Sequence, residues 1–552
     1  MNWILGFTFV LVIILLIKNY FRKKKLSKLK EKLIKNWGKA KDKEHFNFHV
    51  IGQYFENYNH KDQLFHTISD RTSNDLDLDE LFKYIDRTSS KIGQQYLYFK
   101  IKTIGTLENL KKFDLLGKLF LDNGILRLKS QVILSRINSN SSYDLEKLIN
   151  DKPIEKPKYL ILIYASSITS FVLVILAFFN PIFSLLLLPI FLINTIFHYR
   201  NKENVTYYIS GVNELSKALK VSKELALFDE IRQHFADLSF IKKVNTIQAK
   251  TEFVGFEKQL SNEYVLFFWL IIELLKIQFM IEYIVFYSFV ASIKNEKDSI
   301  DKLFQFIGEI DAAISVASLK SNGLAYCEPK FTLQKRIYTK EIIHPLIDDC
   351  IANELQLDNN SLLLTGSNMS GKTTFIRTIA INSILAQTIN LCFAKAYSAP
   401  FLKVFSSIRL TDDLLDDTSY YLKEVLIIKE LIQASQDKEP CLFVLDEIFK
   451  GTNTIERISG GKAILSFLNT ENHIVLVSTH DIELTELLEG DNYALHHFSE
   501  NIENDELSFD HKLKPGKLKT RNAIKILELY NYPSEIIADA RNTEQVNFGD
   551  PG

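Results

Sequence analysis

The loop at residues 365–374 constrains the fold of this 552-residue chain more than any other stretch. It follows the apolar run 361–364 and precedes a helical pattern that begins at Phe375, so it stands at a strand-to-helix turn. Its spacing of glycines, lysine and threonine is that of a G-x-x-x-x-G-K-[ST] phosphate-binding loop. The loop therefore predicts a nucleotide site built from Gly366, Ser367, Asn368, Met369, Ser370, Gly371, Lys372, Thr373 and Thr374.

Each residue type in this loop suits a triphosphate. Glycines at 366 and 371 let the backbone aim N–H groups at phosphate oxygens, and the N-terminus of the following helix adds partial positive charge. We expect Lys372 to reach the β- and γ-phosphates of ATP and the Thr373 hydroxyl to hold Mg²⁺.

Two further apolar runs end in candidate catalytic groups. Residues 441–445 have a buried-strand pattern and are followed by Asp446 and Glu447. We expect Asp446 to bind Mg²⁺ through water and Glu447 to polarise the water that attacks the γ-phosphate. Residues 474–478 precede His480, which stands at the strand end where ligands bind in open α/β sheets. We interpret His480 as a γ-phosphate sensor, with a surface histidine as the alternative.

The composition directs attention to membrane segments. Hydrophobic residues make up 46% of the chain, which is high for a soluble protein of this length. The net charge of −1 provides no global attraction to nucleic acid, although local basic patches remain possible. The four cysteines lack metal-ligand spacing and are predicted to be buried thiols in a reducing compartment.

The N-terminus is predicted to be a membrane anchor over residues 1–20. Residues 3–17 are mostly apolar, and a basic run follows them, which is the reverse of a cleaved signal peptide. The positive-inside rule places the N-terminus outside and the rest in the cytoplasm. The basic segment 21–65 is interpreted as a juxtamembrane cluster, with a nucleic-acid patch as the alternative.

A transmembrane hairpin is predicted at residues 159–198. Two uncharged apolar runs, 159–179 and 182–198, are separated by Asn180 and Pro181, and basic residues flank the pair. The apolar segment 264–290 carries internal charges, which favour a buried helix pair over further membrane spans. The chain is thus expected in the cytoplasmic (inner) cell membrane, with its C-terminal part in the cytoplasm.

The remaining periodicity divides the chain into two fold classes. Residues 66–150 and 205–320 have helical spacing, whereas strands alternate with helices from about residue 330 onward. We therefore predict an all-α domain over 66–320, interrupted by the hairpin, and an α/β P-loop ATPase domain over 321–552.

Several motifs resemble those of the MutS mismatch-repair ATPase family, within the wider ABC-type ATPases. The family's TGPNMGGKST is similar to residues 365–374, its DEIGRGTST to residues 446–454, and its THxxELT to residues 479–485. The segments 343–345, 351–353 and 514–516 also fit. The resemblance covers roughly 66–150 and 205–545 and implies that the helical part is a core and lever domain.

The resemblance adds partners and site residues. It implies a homodimer through the ATPase domains in which Ser419 reaches the γ-phosphate of the opposite subunit. It also implies that Asn353 belongs to the nucleotide site and that His511 approaches the base. DNA is a further partner that the family suggests. The family's mismatch-reading domain does not fit before residue 66, and its F-x-E wedge is absent from the first 150 residues.

The chain also departs from the family at the nucleotide site. Asp417 and Thr418 replace the glycine and arginine before Ser419, and an extra carboxylate near a triphosphate is repulsive. Cys350 replaces an adenine-stacking phenylalanine. We therefore expect slow turnover and weakened adenine binding.

Three functions remain open on the sequence alone. One is a membrane-anchored MutS-like ATPase whose nucleotide-driven dimerisation moves a helical lever. Another is a nucleic-acid-binding module whose helical arms clamp DNA, as in mismatch repair. The last is an ABC-type mechanical ATPase that acts on a membrane or protein partner without DNA.

Overall fold

The computed structural model describes residues 2–41, 44–150, 157, 159–251, 266–409, 420–449, 452–503, 506–518 and 523–548. The chain forms two compact units. The helical unit comprises Met1–His60, Ile85–Phe99 and Lys112–Asn322. The sheet unit comprises Lys61–Tyr84, Lys100–Lys111 and Gly323–Gly552. These limits differ from the predicted boundary at residue 320, because two short N-terminal segments cluster with the C-terminal residues.

The first 322 residues are almost entirely helical where they are described. Their elements are α1 (Asn2–Lys35), α2 (Phe48–Ile51), α3 (Gln53–Asn57), β1 (His66–Thr67), α4 (Asp70–Asp75), α5 (Leu78–Ile85), α6 (Lys91–Lys102), β2 (Thr103–Ile104), α7 (Leu107–Asp122), α8 (Gly124–Leu134), α9 (Lys147–Asn150), α10 (Leu160–Phe179), α11 (Leu187–Leu225), α12 (Asp229–Arg232), α13 (Ser239–Thr251), α14 (Leu266–Gln278), α15 (Ile281–Asn295) and α16 (Lys297–Lys320).

Helix α16 forms the centre of the helical unit. Its apolar side chains recur at helical spacing and are almost completely buried, including Ile300, Leu303 and Phe304. A Cβ at Gly308 would lie 2.4 Å from the Cβ of Tyr96, so only glycine permits this approach of α6 and α16. Asp311, also on α16, accepts hydrogen bonds from backbone N–H groups before α6, and burial raises the pKa of this carboxyl to about 6.

Two helices of this unit are long and apolar enough to cross a membrane by length and composition. They cover Leu160–Phe179 and Pro181–Arg200. In the most apolar 18-residue stretch of each, only 17% and 11%, respectively, is buried inside the protein. Asn180 separates them and accepts a hydrogen bond from the N–H of Ile182. The predicted anchor at residues 3–17 lies in the first half of α1, where most side chains are outside the described part of the chain.

The predicted buried helix pair at 264–290 is only half right. In α15, Tyr283, Phe286 and Tyr287 are buried, as expected. In α14, however, Ile271, Ile272, Leu274 and Leu275 are 37–48% exposed, so this helix does not lie inside the core. The two helices meet at a 63° bend and together are long and apolar enough to form a third span.

Polar side chains from α10 and α11 complete the bend between α14 and α15. Ser167 donates to the carbonyl oxygen of Phe279 at 2.7 Å, and Asn194 donates to that of Gln278 at 2.8 Å. The helix break frees these carbonyls, and an apolar environment makes unpaired carbonyls costly.

The C-terminal residues contain the main sheets. The strands are β3 (Lys330–Phe331), β4 (Arg336–Ile342), β5 (Asn353–Asp358), β6 (Ser361–Thr365), β7 (Ala396–Ala399), β8 (Lys403–Ser407), β9 (Cys441–Asp446), β10 (Ile474–Ser478), β11 (Tyr493–His497), β12 (Glu500–Glu503), β13 (Glu506–Phe509) and β14 (Lys514–Pro515). The helices are α17 (Lys372–Ile389), α18 (Tyr420–Ala434), α19 (Thr454–Leu468), α20 (Glu483–Glu489), α21 (Ala523–Leu529) and α22 (Ser534–Phe548).

A six-stranded sheet in the order β14-β11-β6-β10-β9-β8 forms the core of the sheet unit. Its strands from β11 to β8 are parallel, and β14 is antiparallel at one edge. Strands β6 and β10 are buried along their whole length because helices cover both faces of a parallel sheet. The prediction of a helical part followed by an α/β part is confirmed. A second sheet, β3-β7-β4-β5, is of mixed direction and was not predicted.

The cysteines are only partly as predicted. All four are free thiols, but only Cys392 and Cys441 are buried, whereas Cys327 and Cys350 are half-buried. Burial raises the pKa of the Cys441 thiol to about 12, so it stays protonated at neutral pH.

Candidate functional site

The glycine-rich loop connects β6 to α17 at the carboxyl end of the parallel strands. Gly366 and Gly371 have φ angles of 142° and 107°, a region that side chains disfavour. A Cβ at Gly366 would also lie 2.7 Å from the carbonyl oxygen of Phe498, so the chain needs glycine there for space as well. The turn therefore folds back tightly before α17 begins at Lys372.

Lys372 is held inside the loop. Its side chain is almost completely buried, and its Nζ donates to the carbonyl oxygens of Gly366 at 2.6 Å and Ser367 at 2.9 Å. The same Nζ lies 3.4 Å from Nε2 of His480. The loop thus holds a positive charge at its centre, close to its own carbonyl oxygens.

Thr373 and Asp446 bring hard oxygen ligands together. The Thr373 hydroxyl donates to Oδ2 of Asp446 at 3.1 Å, and the Ser478 hydroxyl donates to Oδ1 of the same carboxylate. Register explains the second contact, because Asp446 and Ser478 are paired at the ends of β9 and β10. Carboxylate and hydroxyl oxygens are the ligand types that Mg²⁺ prefers, so this pair fits that ion.

Glu447 and His480 form the next pair along the same strand ends. Nε2 of His480 lies 3.0 Å from Oε1 of Glu447. Glu447 has a left-handed φ of 57°, and its N–H donates to the carbonyl oxygen of Ser478 at 2.8 Å. This backbone turn aims the carboxylate toward His480. Both side chains are partly exposed, Glu447 by 24% and His480 by 41%, so a water molecule can reach them.

Asn353 and His511 meet although 158 positions separate them. The Asn353 side chain donates to the carbonyl oxygen of His511 at 3.0 Å and accepts from the N–H of Leu513 at 2.8 Å. Nδ1 of His511 lies 3.0 Å from the carbonyl oxygen of Ser370. This contact joins the C-terminal segment to the glycine-rich loop, so these two predicted residues lie at the edge of the same site.

The remaining predicted residues differ in burial, and some lie outside the described part of the chain. Ser370 is buried, and its hydroxyl donates to the carbonyl oxygen of Ser367 at 2.7 Å. Met369 is 70% exposed, and Thr374 is also exposed. Asn368 lies in a short 3₁₀ turn, but its side chain is outside the described part of the chain. Ser419, Asp417 and Thr418 also lie outside the described residues.

The structure adds Arg457 to the site, a residue that the sequence analysis missed. Its guanidinium forms two hydrogen bonds with the Asp481 carboxylate, at 2.9 and 2.7 Å. The bonds to Asp481 raise the pKa of Arg457, and the Glu447 carboxylate contributes to the same shift. Asp481 directly follows His480, so the pair holds the segment that carries this histidine. The sequence feature that could have pointed to Arg457 is its place near the start of a helix, ten residues after Glu447.

A second cluster that was missed joins α4 to the end of β8. The buried Asp75 carboxylate accepts from the Ser406 hydroxyl at 2.6 Å and from the N–H groups of Ile408 and Arg409 at 3.1 and 2.9 Å. The Arg409 guanidinium binds the two oxygens of Asp77 at 2.7 and 2.8 Å. These bonds hold the segment immediately before residues 410–419, which contain Ser419.

Residues 362–546, from β6 to within α22, match the family described as MutS domain V. Three similar proteins carry the name DNA mismatch repair protein MutS. The one from Clostridium kluyveri is 28% identical over 278 residues, that from Listeria welshimeri 31% over 275, and that from Staphylococcus aureus 30% over 273.

The matched segments cover only part of each protein. In all three cases they represent 47% of this chain and 31% of the relative. The chain therefore matches about a third of the length of these curated relatives. Within that limit, the domain V match and the three MutS relatives agree, and they support a MutS-like assignment for the matched C-terminal part of this chain.

Proposed function

We propose that the chain is a Mg²⁺-dependent ATP hydrolase of the MutS type. The observation that carries this proposal is the convergence of Lys372, Thr373, Asp446, Glu447 and His480 at the carboxyl end of the parallel strands. The lysine lies 3.4 Å from the imidazole, the imidazole 3.0 Å from the Glu447 carboxylate, and the two hard oxygen ligands 3.1 Å from each other. Phosphoryl transfer depends mainly on such positioning and electrostatic stabilisation.

The loop and Lys372 provide the phosphate-binding part of the proposed site. N–H groups between Gly366 and Gly371, together with the N-terminus of α17, would bind phosphate oxygens. Lys372 would exchange its bonds to the loop carbonyls for bonds to the β- and γ-phosphates. Thr373 and Asp446 would hold Mg²⁺, directly and through water respectively, and this ion supplies charge neutralisation at the phosphates when bound.

Glu447 is the proposed catalytic base. Its exposed carboxylate would accept a hydrogen bond from the attacking water and increase the nucleophilicity of that oxygen. His480 would orient Glu447 through their contact and respond to the γ-phosphate through its place beside Lys372. Asn353 and His511 would support the nucleoside side of the site.

Membrane anchoring belongs to the same proposal. The exposed apolar surfaces of α10 and of the first part of α11 support a hairpin in the lipid bilayer, and the apolar run 3–17 supports an N-terminal anchor. The ATPase would then act in the cytoplasm. Alkaline extraction of membranes tests this arrangement, because a peripheral protein is released into the supernatant whereas an integral one stays in the pellet.

A homodimer through the ATPase domains is proposed from the family resemblance, with Ser419 completing the site of the opposite subunit. DNA remains a candidate partner, because the relatives are named as DNA mismatch repair proteins. The net charge of −1 instead favours the alternative, a mechanical ATPase acting on a membrane or protein partner. The effect of DNA on the ATPase rate, measured at two salt concentrations, separates the two, since phosphate contacts weaken steeply with salt.

Two substitutions test the ATPase. Lys372→Ala should lose nucleotide affinity because the phosphate charge is left uncompensated, whereas Glu447→Gln should bind ATP and lower kcat by roughly 100-fold or more. ATP affinity and single-turnover hydrolysis are measured on the same preparations. Hydrolysis by Glu447→Gln at the wild-type rate would remove Glu447 from the role of base.

A further inference from the structure

A cavity of 740 Å³ lies in the helical unit. The basic half of α1 and the segment that follows it form one wall, and the segment after α5, the end of α8 with the residues after it, and Ser318 of α16 form the rest. All of its lining residues belong to the helical unit, and none belongs to the candidate ATPase site. Its volume is within the range of ligand pockets, roughly 300–1,000 Å³.

The lining of this cavity is strongly cationic. Glu44 is the one carboxylate among the described lining residues, and it is already bound to Lys91 and Lys41. Seven basic residues line the cavity: Arg22, Lys25, Lys32, Lys39, Lys41, Arg87 and Arg136. The imbalance gives the cavity a positive potential that a bound anion would relieve.

Four of these cations have no acidic partner in the described part of the chain. Lys41 is paired with the buried Asp86 at 2.9 Å, and Arg136 with Glu224. Of the other five, Arg87 donates to the carbonyl oxygen of Ile85 at 3.0 Å, and no described carboxylate lies within 4.0 Å of the remaining four, Arg22, Lys25, Lys32 and Lys39. All four side chains are exposed, and together they give this side of the helical unit a positive potential that attracts anions.

The same cavity has an apolar surface. Leu26, Leu29 and Leu33 line it from α1, on the helix face that also carries Lys25 and Lys32, because all recur at three- and four-residue spacing. Trp37 lines it too, with the guanidinium of Arg127 3.7 Å from the centre of its ring. A ligand that satisfies both surfaces combines an anionic group with an apolar or aromatic one.

We propose that this cavity binds a phosphate ester that has a net negative charge and carries an apolar group. The phosphate is held by Lys25, Lys32 and Lys39, and the apolar part lies against Leu29 and Trp37. An anionic phospholipid and a soluble aromatic phosphate ester share this chemistry. Helix α1 continues unbroken from the apolar run into the cavity wall, and Arg22 follows Ile17 by about 8 Å along the axis, which suits a lipid phosphate. That source rests on the proposed membrane anchoring, whereas the soluble source does not.

Trp37 provides a direct reporter of binding. The chain has three tryptophans, so Trp3→Phe with Trp269→Phe leaves Trp37 as the only one. This full-length protein, in a non-ionic detergent, is titrated separately with phosphatidylglycerol, phosphatidylcholine, phenyl phosphate, inorganic phosphate and duplex DNA. We expect a saturable change in Trp37 emission with phosphatidylglycerol, with phenyl phosphate or with both, and none with phosphatidylcholine or inorganic phosphate at equal concentration. The ester that responds identifies the source.

Matched variants of α1 complete the test. Lys25→Gln with Lys32→Gln removes two lining charges and should weaken the response roughly tenfold or more. Lys28→Gln with Lys30→Gln removes two exposed charges of the same helix that do not line the cavity, and should leave it unchanged. Equal titrations of the two double variants, no response to either ester, an equal response to phosphatidylcholine, or a stronger response to duplex DNA would each overturn the proposal.

Anchoring and binding can fail independently. Release of the chain by alkaline extraction, together with an intact response to phenyl phosphate, would refute the anchoring and leave the cavity site standing. A chain that stays in the membrane pellet but responds to neither ester would refute the cavity site and leave the anchoring standing.

Discussion

The imidazole of His480 lies 3.0 Å from the carboxylate of Glu447, and its Nε2 lies 3.4 Å from the ammonium of Lys372. One histidine therefore contacts both the proposed base and the proposed phosphate-binding lysine. Because a carboxylate only accepts hydrogen bonds, Nε2 must carry a proton when it bonds to Glu447. The contact helps to set the direction of the Glu447 carboxylate, which is partly exposed.

Replacing His480 should therefore lower the rate of hydrolysis more than the affinity for ATP. His480→Ala removes the His480 contact from Glu447, and we expect kcat to fall about 10- to 100-fold. His480→Gln retains an N–H donor and should recover part of the loss. Single-turnover hydrolysis and ATP affinity are measured in parallel, with His49→Ala, at an exposed position of the helical unit, as the control. An unchanged kcat in His480→Ala would leave this histidine without a role in hydrolysis.

The proposed dimer makes a separate prediction about mass. Glu447→Gln should retain ATP, so a dimer that closes around the nucleotide should accumulate with this variant and not with Lys372→Ala. Light scattering of the detergent-solubilised chain, with and without ATP, measures the difference. Ser419→Ala in the Glu447→Gln background should reduce the dimer fraction if Ser419 reaches the opposite site. A mass that does not depend on ATP would argue that Asp417 has disabled the composite site.

The glycine-rich loop and its strand neighbours were predictable from sequence because their signals are local. Residues 361–364, 441–445 and 474–478 are short apolar runs, and each lies in a buried parallel strand. The side chains that follow them in the chain then necessarily share one edge of the sheet. This reasoning located Lys372 and Glu447 without knowledge of any long-range contact.

Contacts between distant residues were not predictable in this way. Asn353 meets His511 across 158 positions, and Asp75 meets Ser406 across 331. Helical periodicity shows that α4 and α5 have a buried face, but not which element covers it. The segment around Asp75 was therefore grouped with the helices that follow it, although it clusters with the sheet unit.

The Asp75 contacts predict a strong local effect on β8. Asp75→Ala removes the acceptor of one hydroxyl and two N–H groups in a buried site, which should cost about 2–4 kcal/mol. Because Ile408 and Arg409 supply those N–H groups, amide exchange in peptides covering residues 403–409 should accelerate. Glu80→Ala is the matched control, since it removes an exposed ion pair with Lys83 that contributes at most about 1 kcal/mol. Equal exchange in the two variants would show that Asp75 does not hold this segment.

His66 predicts how the stability of the sheet unit depends on pH. Burial lowers the pKa of this histidine to about 4, and its Nε2 lies 2.9 Å from the carbonyl oxygen of Val404. The folded pKa lies below the unfolded value of about 6.5, so the unfolded state binds the proton more readily. The contribution of His66 is therefore complete above pH 6.5 and is lost as the pH falls from 6.5 toward 4. Between pH 8 and pH 5 the loss should be on the order of 1–2 kcal/mol.

His66→Gln isolates this contribution from that of the other histidines. Glutamine retains a donor for the Val404 carbonyl but does not titrate, so the variant should lose less stability than the wild type when the pH is lowered. Thermal unfolding midpoints of both proteins at pH 8 and pH 5 provide the comparison. His344, whose pKa burial also lowers to about 4, is present in both proteins, so its contribution cancels in the difference. If both midpoints fall by the same amount, folding does not lower the pKa of His66. The packing of this imidazole against the ring of Phe405 would then not desolvate it.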